Sequence, residues 1–395
     1  MQPTTPEKPR IPVRHEDSVF AYSTAMKIAL VADWITTPGG AERVLAEMCA
    51  VWPEAPVYTT VARCRSEGRS NATPLRETDV RTSRLQFLYR ILGKHQFLLP
   101  FMPRAIEDID LRGYDVIVSS SHAVGKGIIP PSSAVHVCYC HTPMRYAWEM
   151  ESQYLEDFHI PWFFRGWVKR ELARLRRWDL STAKRVDLFI ANSTETAERI
   201  LRIYGRTSVV IPPPVQDRFF ATPLINAEKR PTFLAVGRFV PYKRFDLLIE
   251  CANALRMPLM IVGKGQEEKR LKAMAGPTVS FRGRVSDDEL PALYASAKAV
   301  LFPAYEDAGL VPVEAQACGT PVIAYGKGGA RDTVTEGKTG IFFDEQTVES
   351  LTGAIKKFST MQFDPEVIRE HAGQFSAASF RKKILDAVRQ EASGA

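Results

Sequence analysis

Two carboxylates, Glu306 and Glu314, stand eight positions apart in the run Tyr305-Glu-Asp-Ala-Gly-Leu-Val-Pro-Val-Glu314. The run follows an apolar stretch, Ala299 to Pro303, and Gly309 sits where a helix would begin. The first turn of such a helix offers unpaired N–H groups to an anion. Glu314 comes four residues after Leu310, on the same helical face as that anion site. A carboxylate so placed can accept both hydroxyls of a ribose, while Glu306, in the loop before the helix, would lie beside a sugar near the phosphate. A second group, Gly237-Arg-Phe-Val-Pro-Tyr-Lys243, also follows an apolar stretch. Arg238 and Lys243 would reach the same side of a sheet, where two cations can neutralise a pyrophosphate and stabilise it as a leaving group. His141, in Tyr139-Cys-His-Thr-Pro143, is read as a donor or acceptor to a sugar hydroxyl at the end of another strand. A lone histidine is more often structural, so His141 counts only together with the others. Gly39 and Gly40 would let backbone approach a phosphate closely.

Strands and helices in alternation must carry these groups. The run Lys27 to Asp33 reads as a strand that meets Pro38-Gly-Gly40, after which Val44, Leu45 and Met48 take helical spacing. Buried strands are expected over Asp115 to Ser121, Val135 to Tyr139 and Val186 to Ala191, with Asn192-Ser193 capping a helix near Thr194. Ile211-Pro-Pro-Pro214 continues neither a helix nor a central strand, which puts a boundary there. Beyond it come strands at 232–237, 259–262, 279–282, 299–303 and 321–325, with helices at 245–252, 267–274, 287–296 and 310–318. Such alternation implies parallel sheets. The α/β architecture expected is two facing Rossmann-like domains with an interdomain cleft, because ligands in such sheets sit beyond the carboxyl ends of the strands. The division is a leader at 1–25, a first domain at 26–212, a second at 213–375, and a C-terminal helix at 376–395 that packs back across the domains. The pattern from Val367 through Phe380 to Val388 reads as helical.

Bulk composition narrows the field. A chain of 395 residues with 45% hydrophobic and 25% charged residues is globular and long enough for two domains. The balance of 52 basic against 45 acidic residues, net +7, fits anionic small molecules or a membrane surface. No nucleic-acid recognition motif is present, and nucleic acid is not an expected partner. The six cysteines, at 49, 64, 138, 140, 251 and 318, lack zinc spacing and read as buried or free thiols in a reducing compartment. No stretch reaches the roughly 18 apolar residues of a membrane span, and residues 1–25 lack a signal-peptide core, so the expected location is the cytoplasm.

These residues resemble the retaining GT-B glycosyltransferases of family 4, the glycosyl transferases group 1 class, from about Lys27 to Val388. The most specific part is Glu306 to Glu314, continuing into Ala315-Gln-Ala-Cys-Gly-Thr-Pro-Val-Ile323; Gly39-Gly-Ala-Glu-Arg43, Gly237-Arg238 with Lys243, and Phe281-Arg-Gly-Arg-Val285 support it. The resemblance implies transfer of a sugar from a nucleotide-sugar donor held in the second domain, with retention and with neither metal nor cofactor. Arg238 and Lys243 would hold the pyrophosphate and Glu314 the ribose. Glu306 and the backbone of Ala308, Gly309, Leu310 and Val311 would hold the sugar and phosphate, with Arg284 and Val285 near the base. Within the family, Cys140 to Trp148 and Gly326-Lys-Gly-Gly329 look like mannosyltransferases of bacterial O-antigen and exopolysaccharide assembly, which implies GDP-mannose. Ala308 departs from the family, which usually carries phenylalanine or a similar residue there, so the floor of the sugar pocket differs. Asp108-Ile-Asp110 matches a metal motif of another glycosyltransferase fold, but not in its context.

Two basic, aromatic stretches mark the acceptor side. Residues 81–104 hold Arg81, Arg84, Arg90, Lys94 and Arg104 and no acid; residues 161–185 hold eight basic and two acidic side chains. They suit an anionic membrane surface, and with it a glycan or polyprenyl-linked oligosaccharide acceptor at the inner face of the cytoplasmic membrane. The alternative for each is an amphipathic element packed on the first domain. Rival readings are a UDP-sugar transferase, an epimerase or phosphorylase of the same fold, an NAD-dependent dehydrogenase, and a non-catalytic sugar-nucleotide binder. The dehydrogenase lacks its G-x-G-x-x-G loop, and the binder should have lost Glu306, Glu314, Arg238 and Lys243.

Overall fold

The computed structural model describes residues 26–37, 39–63, 78–148, 162–226 and 230–394. The leader expected at 1–25 and Cys64 lie outside them. The strands are β1 Ile28–Ala32, β2 Val57–Thr59, β3 Val80–Thr82, β4 Val116–Ser121, β5 Val135–Cys140, β6 Leu188–Ala191 and β7 Ser208–Val210, then β8 Thr232–Val236, β9 Leu259–Val262, β10 Val279–Gly283, β11 Ala297–Phe302, β12 Val322–Tyr325 and β13 Gly340–Phe343. They form two sheets, a seven-stranded one in the order β3-β2-β1-β4-β5-β6-β7 and a six-stranded one in the order β10-β9-β8-β11-β12-β13. The pairings are parallel, as in β1 with β4 and β8 with β11. Two Rossmann-like α/β domains, the expected architecture, result.

The central strands are buried on both faces, which is why they read as unbroken apolar runs: β1 is buried at all five positions, and β4 and β5 at all six. In each sheet the strand order reverses beside the first strand, between β1 and β4 and between β8 and β11. A crevice opens at such a reversal. In the first sheet it lies beside Asp33 and His122, the residues that follow β1 and β4. In the second it lies beside Gly237 and the loop from Pro303 to Asp307.

The helix after β1, α1 (Gly40–Val51), buries Val44, Leu45 and Met48 as its spacing predicts. Four strands go beyond the sequence reading: β2, β3, β7 and β13. The first three have only three residues each, too few for periodicity to register. The C-terminal pattern is not one helix. It breaks at Gly373–Phe375 into helices Pro365–Ala372 and Ala377–Gly394. The last helix packs Phe380, Ile384 and Val388 into the core that holds Val44, Leu45 and Met48 of α1. The chain thus passes out of the first sheet and returns to it. The two passages run side by side, with the Val215 N–H donating to the Phe375 carbonyl at 2.9 Å.

Candidate functional site

On the second-sheet side the expected helix forms as Leu310–Ala317. Gly309 caps it at φ 60°, a left-handed conformation that glycine adopts without strain. Glu306, in the loop before it, lies 2.6 Å from the Lys243 ammonium, and both side chains are largely buried. Gly237 has φ 156°, and a Cβ there would lie 3.2 Å from Lys243 Cδ, so glycine gives the lysine its path across the strand end. Arg238 and Arg284 are exposed at the rim, and Val285 packs against the core beneath them. Glu314 points into the protein: its side chain is 7% exposed, it accepts the Tyr294 hydroxyl at 3.0 Å, and it accepts a bond from Arg43 at 3.1 Å. Burial raises the Glu314 carboxyl, and the Arg43 charge works against that rise.

On the first-sheet side a cluster forms that the sequence reading did not identify. Asp33 is fully buried and accepts from the Ser121 hydroxyl at 3.0 Å, the His122 N–H at 2.6 Å and the Gly125 N–H at 2.5 Å. Its other oxygen contact is His122 Nδ1 at 2.8 Å. Burial alone would raise this carboxyl, but the His122 charge and the donated bonds outweigh it and bring Asp33 down to about 2. Burial likewise opposes a charged His122, yet Asp33 holds that imidazole above its usual value. His141 takes the opposite state: burial and the charge of His122 bring it down to about 3. Its Nε2 lies 2.9 Å from Ser120 Oγ, and its ring centroid lies 6.2 Å from that of His122. Trp34 stands edge-on to His122 at 4.8 Å, and with Glu42 these residues line a small pocket. The signal for Asp33 and His122 was available, since each ends a central strand, but joining them required knowing that β1 and β4 are neighbours.

The two sides meet. Arg43, on α1, pairs with Glu314; Gly40 lies against Leu310, where a Cβ would be 3.6 Å from Leu310 Cδ1. Gly40 is therefore a point of contact between the halves. Its backbone is right-handed helix, and no positive φ is needed there. Asp307, beside Glu306, accepts from Arg199 and lies 3.7 Å from Arg145. The Tyr305 hydroxyl donates to Glu195 at 2.5 Å, and the Thr194 N–H donates to Asp332 at 2.7 Å. Neither Asp307 nor its arginines were singled out from sequence. Asp108 and Asp110 are exposed and tied to Arg104 and Arg112, respectively, on the same stretch of chain.

The second sheet carries a cation–carboxylate pair beside a glycine-capped helix end, and the first sheet carries a buried aspartate paired with a histidine. The helix end can hold an anion, and the aspartate–histidine pair can hold a hydroxyl compound.

Comparison with known proteins follows the same division. Residues 38–219 match the family model described as Glycosyltransferase Family 4, and residues 217–375 match Glycosyl transferases group 1. A GDP-mannose-dependent alpha-(1-6)-phosphatidylinositol monomannoside mannosyltransferase of Mycobacterium tuberculosis (strain CDC 1551 / Oshkosh) is 33% identical over 221 residues, 48% of this chain and 56% of that protein. A D-inositol 3-phosphate glycosyltransferase of Geodermatophilus obscurus is 32% identical over 224 residues, 48% of this chain and 49% of that protein. The chain spans about half the length of these curated relatives. Among solved structures, Anabaena Alr3699/HepE in complex with UDP and glucose superposes with a TM-score of 0.62 at 20% identity, covering 92% of this chain and 100% of that one. Sucrose-phosphate synthase from Thermosynechococcus elongatus superposes with a TM-score of 0.65 at 21% identity, covering 94% and 100%. The fold is GT-B, and the two family matches together run from residue 38 to residue 375.

Proposed function

We propose, from the premise that this chain carries both domains of a glycosyltransferase, that it moves mannose from GDP-mannose onto a glycan or polyprenyl-linked oligosaccharide, retaining the anomeric configuration and using no metal. The single observation that carries this reading is the Lys243–Glu306 pair at 2.6 Å beside the glycine-capped helix end of the second sheet. Residues 213–375 hold the donor and residues 26–212 the acceptor. Arg238 and Lys243 hold the pyrophosphate, and the N–H groups at Ala308 to Val311 bind its phosphate and the sugar. Glu314 accepts from the ribose, Arg284 and Val285 lie by the base, and Glu306 orients the transferred sugar.

An acceptor hydroxyl approaches C1 on the face from which the diphosphate leaves. The bond from C1 to the phosphate oxygen breaks, the bond from C1 to the acceptor oxygen forms, and the hydroxyl proton passes to the departing phosphate oxygen. The protein contributes positioning and cationic stabilisation of the leaving group. His122, charged against Asp33, and neutral His141 stand on the acceptor wall and orient hydroxyls there, while Gly39 and Gly40 let that wall close on the donor.

The name of the mycobacterial relative supports GDP-mannose, and the UDP in the Anabaena structure makes UDP-glucose the control. A thermal-shift screen of GDP-mannose, UDP-glucose and ADP-glucose tests the donor. A donor at 100 times its dissociation constant stabilises by about 2.7 kcal/mol. Stabilisation by GDP-mannose, followed by acceptor-dependent release of GDP, is expected. A shift with UDP-glucose alone replaces the donor, and no shift with any of them removes the transferase reading.

A further inference from the structure

Helix α2 (Leu85–Leu92) leaves most of its apolar residues in solvent. An ordinary surface helix buries its apolar stripe and shows polar residues to water. Here the buried residue is Gln86, whose side chain clamps both backbone groups of Ala62, accepting from its N–H at 2.8 Å and donating to its carbonyl at 2.8 Å. Leu85 and Tyr89 also pack inward, but four apolar residues point outward: Phe87 is 68% exposed and Ile91 66%, with Leu88 and Leu92 beside them. The following turn, His95–Phe101, adds Phe97 and Phe101, 62% and 58% exposed. Six of the twelve exposed large hydrophobic side chains among the described residues thus fall within 87–101, which makes a patch of them rather than a scatter.

We propose that this face docks on an anionic lipid bilayer and turns the acceptor wall of the cleft toward it. Charge decides the occupant. Residues 81–104 carry five basic side chains and no acid; Arg81 and Arg104 pair with Asp79 and Asp108 at the two ends, and Arg84, Arg90 and Lys94 lie between. A second copy of the chain, pairing through this patch about a twofold axis, would set those like charges against each other. A leaflet of anionic lipid meets them with opposite charge while accepting the phenylalanines into its interface. Helix Trp162–Thr182 belongs to the same layer, since its Leu172 and Leu175 pack with Leu98, Leu99 and Met102, and its exposed Lys169, Arg170 and Arg174 extend the basic rim. The patch also touches the site. The His95 ring stacks on Trp34 at 4.6 Å, and Trp34 stands against His122 at 4.8 Å. A headgroup-linked acceptor entering beside His95 reaches the Asp33–His122 wall without leaving the interface. The identity of that acceptor rests on the function proposed above; the docking does not.

The test is flotation of the full chain with vesicles of phosphatidylcholine, alone or with roughly one-third phosphatidylglycerol, at low and high salt. Binding to the anionic vesicles, weakened by salt, is expected. The triple variant Phe87→Ser, Ile91→Ser, Phe97→Ser should lower partitioning at least about tenfold. The triple variant Arg84→Gln, Arg90→Gln, Lys94→Gln should lower it about fivefold for each charge removed. In both, the thermal shift given by nucleotide-sugar should match that of the native chain, so failure to dock is distinguishable from failure of the donor site. Absence of binding, equal binding to neutral vesicles, or native partitioning by both variants overturns the proposal. So does a dimer in light scattering that the Phe87→Ser, Ile91→Ser, Phe97→Ser variant converts to monomer, since a second copy would then cover the patch.

Discussion

Arg43 on α1 closes a 3.1 Å ion pair onto Glu314, 271 positions further along the chain, and so joins the first helix of one half to a buried carboxylate of the other. Glu314 is buried, and burial raises its carboxyl; Arg43 is the chief opposing influence. Replacing Arg43 by methionine lets that carboxyl rise further, so a smaller fraction is ionised near neutrality. Donor affinity should then fall more steeply from pH 8 to pH 6 than it does in the native chain. Glu314→Gln should weaken the donor about tenfold or more at both values, because a bond to a charged acceptor, worth about 1.5–3 kcal/mol, becomes neutral. Calorimetric titration of nucleotide-sugar at the two pH values checks both.

Lys243 and Arg238 should separate turnover from binding. Lys243→Ala removes a cation that meets charge as the diphosphate leaves, and kcat should fall on the order of 100-fold or more. The exposed Arg238, replaced by alanine, should do the same to a similar degree. Near-native kcat in both variants would refute their assignment. Steady-state kinetics of diphosphate release, with KM and kcat resolved, is the measurement.

His136 makes acid costly to the fold. It is fully buried on β5, with one ring nitrogen 2.9 Å from Ser119 Oγ and the other 2.9 Å from the Arg185 carbonyl, and burial brings it down to about 4. The unfolded histidine takes a proton near pH 6.5 and the folded one does not, so the unfolded state binds more protons between those values. Stability therefore falls as the pH drops from about 6.5 toward 4, by roughly 1.4 kcal/mol per unit for this one group. Urea denaturation at a series of pH values should show this slope, and the His136 ring resonances should not titrate until about pH 4.

Gln316 is the converse case, a polar side chain whose removal should help. It is completely buried on helix Leu310–Ala317, and neither its amide nitrogen nor its oxygen has a partner among the described residues. An unpaired buried polar group costs about 1–3 kcal/mol. Gln316→Met keeps the length and removes the unpaired atoms. The melting temperature should rise by about 2–4 °C. A fall in differential scanning calorimetry would mean that the amide is satisfied in solution.

The second sheet was the more legible half of the site, because its chemistry is local. Glu306, Gly309 and Glu314 lie within nine consecutive residues on a strand–loop–helix unit, and a glycine at a helix start has a physical reading of its own. The Asp33–His122 pair lies 89 positions apart and becomes a pair only when β1 and β4 are side by side. Asp307 was passed over between two glutamates although it takes both Arg199 and Arg145, since nothing local distinguishes a carboxylate facing the other domain from a solvated one. Lys126 was likewise invisible: a lysine in Val124-Gly-Lys-Gly127 gives no hint that it is buried against Asp179 at 2.7 Å and Thr182 at 2.9 Å. The long strands were read nearly to the residue because burial on both faces leaves an apolar signature. The final helix, expected at 376–395, forms over Ala377–Gly394, and the helical pattern that begins at Val367 is interrupted at Gly373–Phe375.

The side-by-side passages at Val215 and Phe375 limit how the cleft can work. Two backbones joined by a 2.9 Å bond act as a ribbon, stiff along its length and compliant in torsion. A swing of the halves about that ribbon would have to open the Arg43–Glu314 and Arg199–Asp307 pairs that join them.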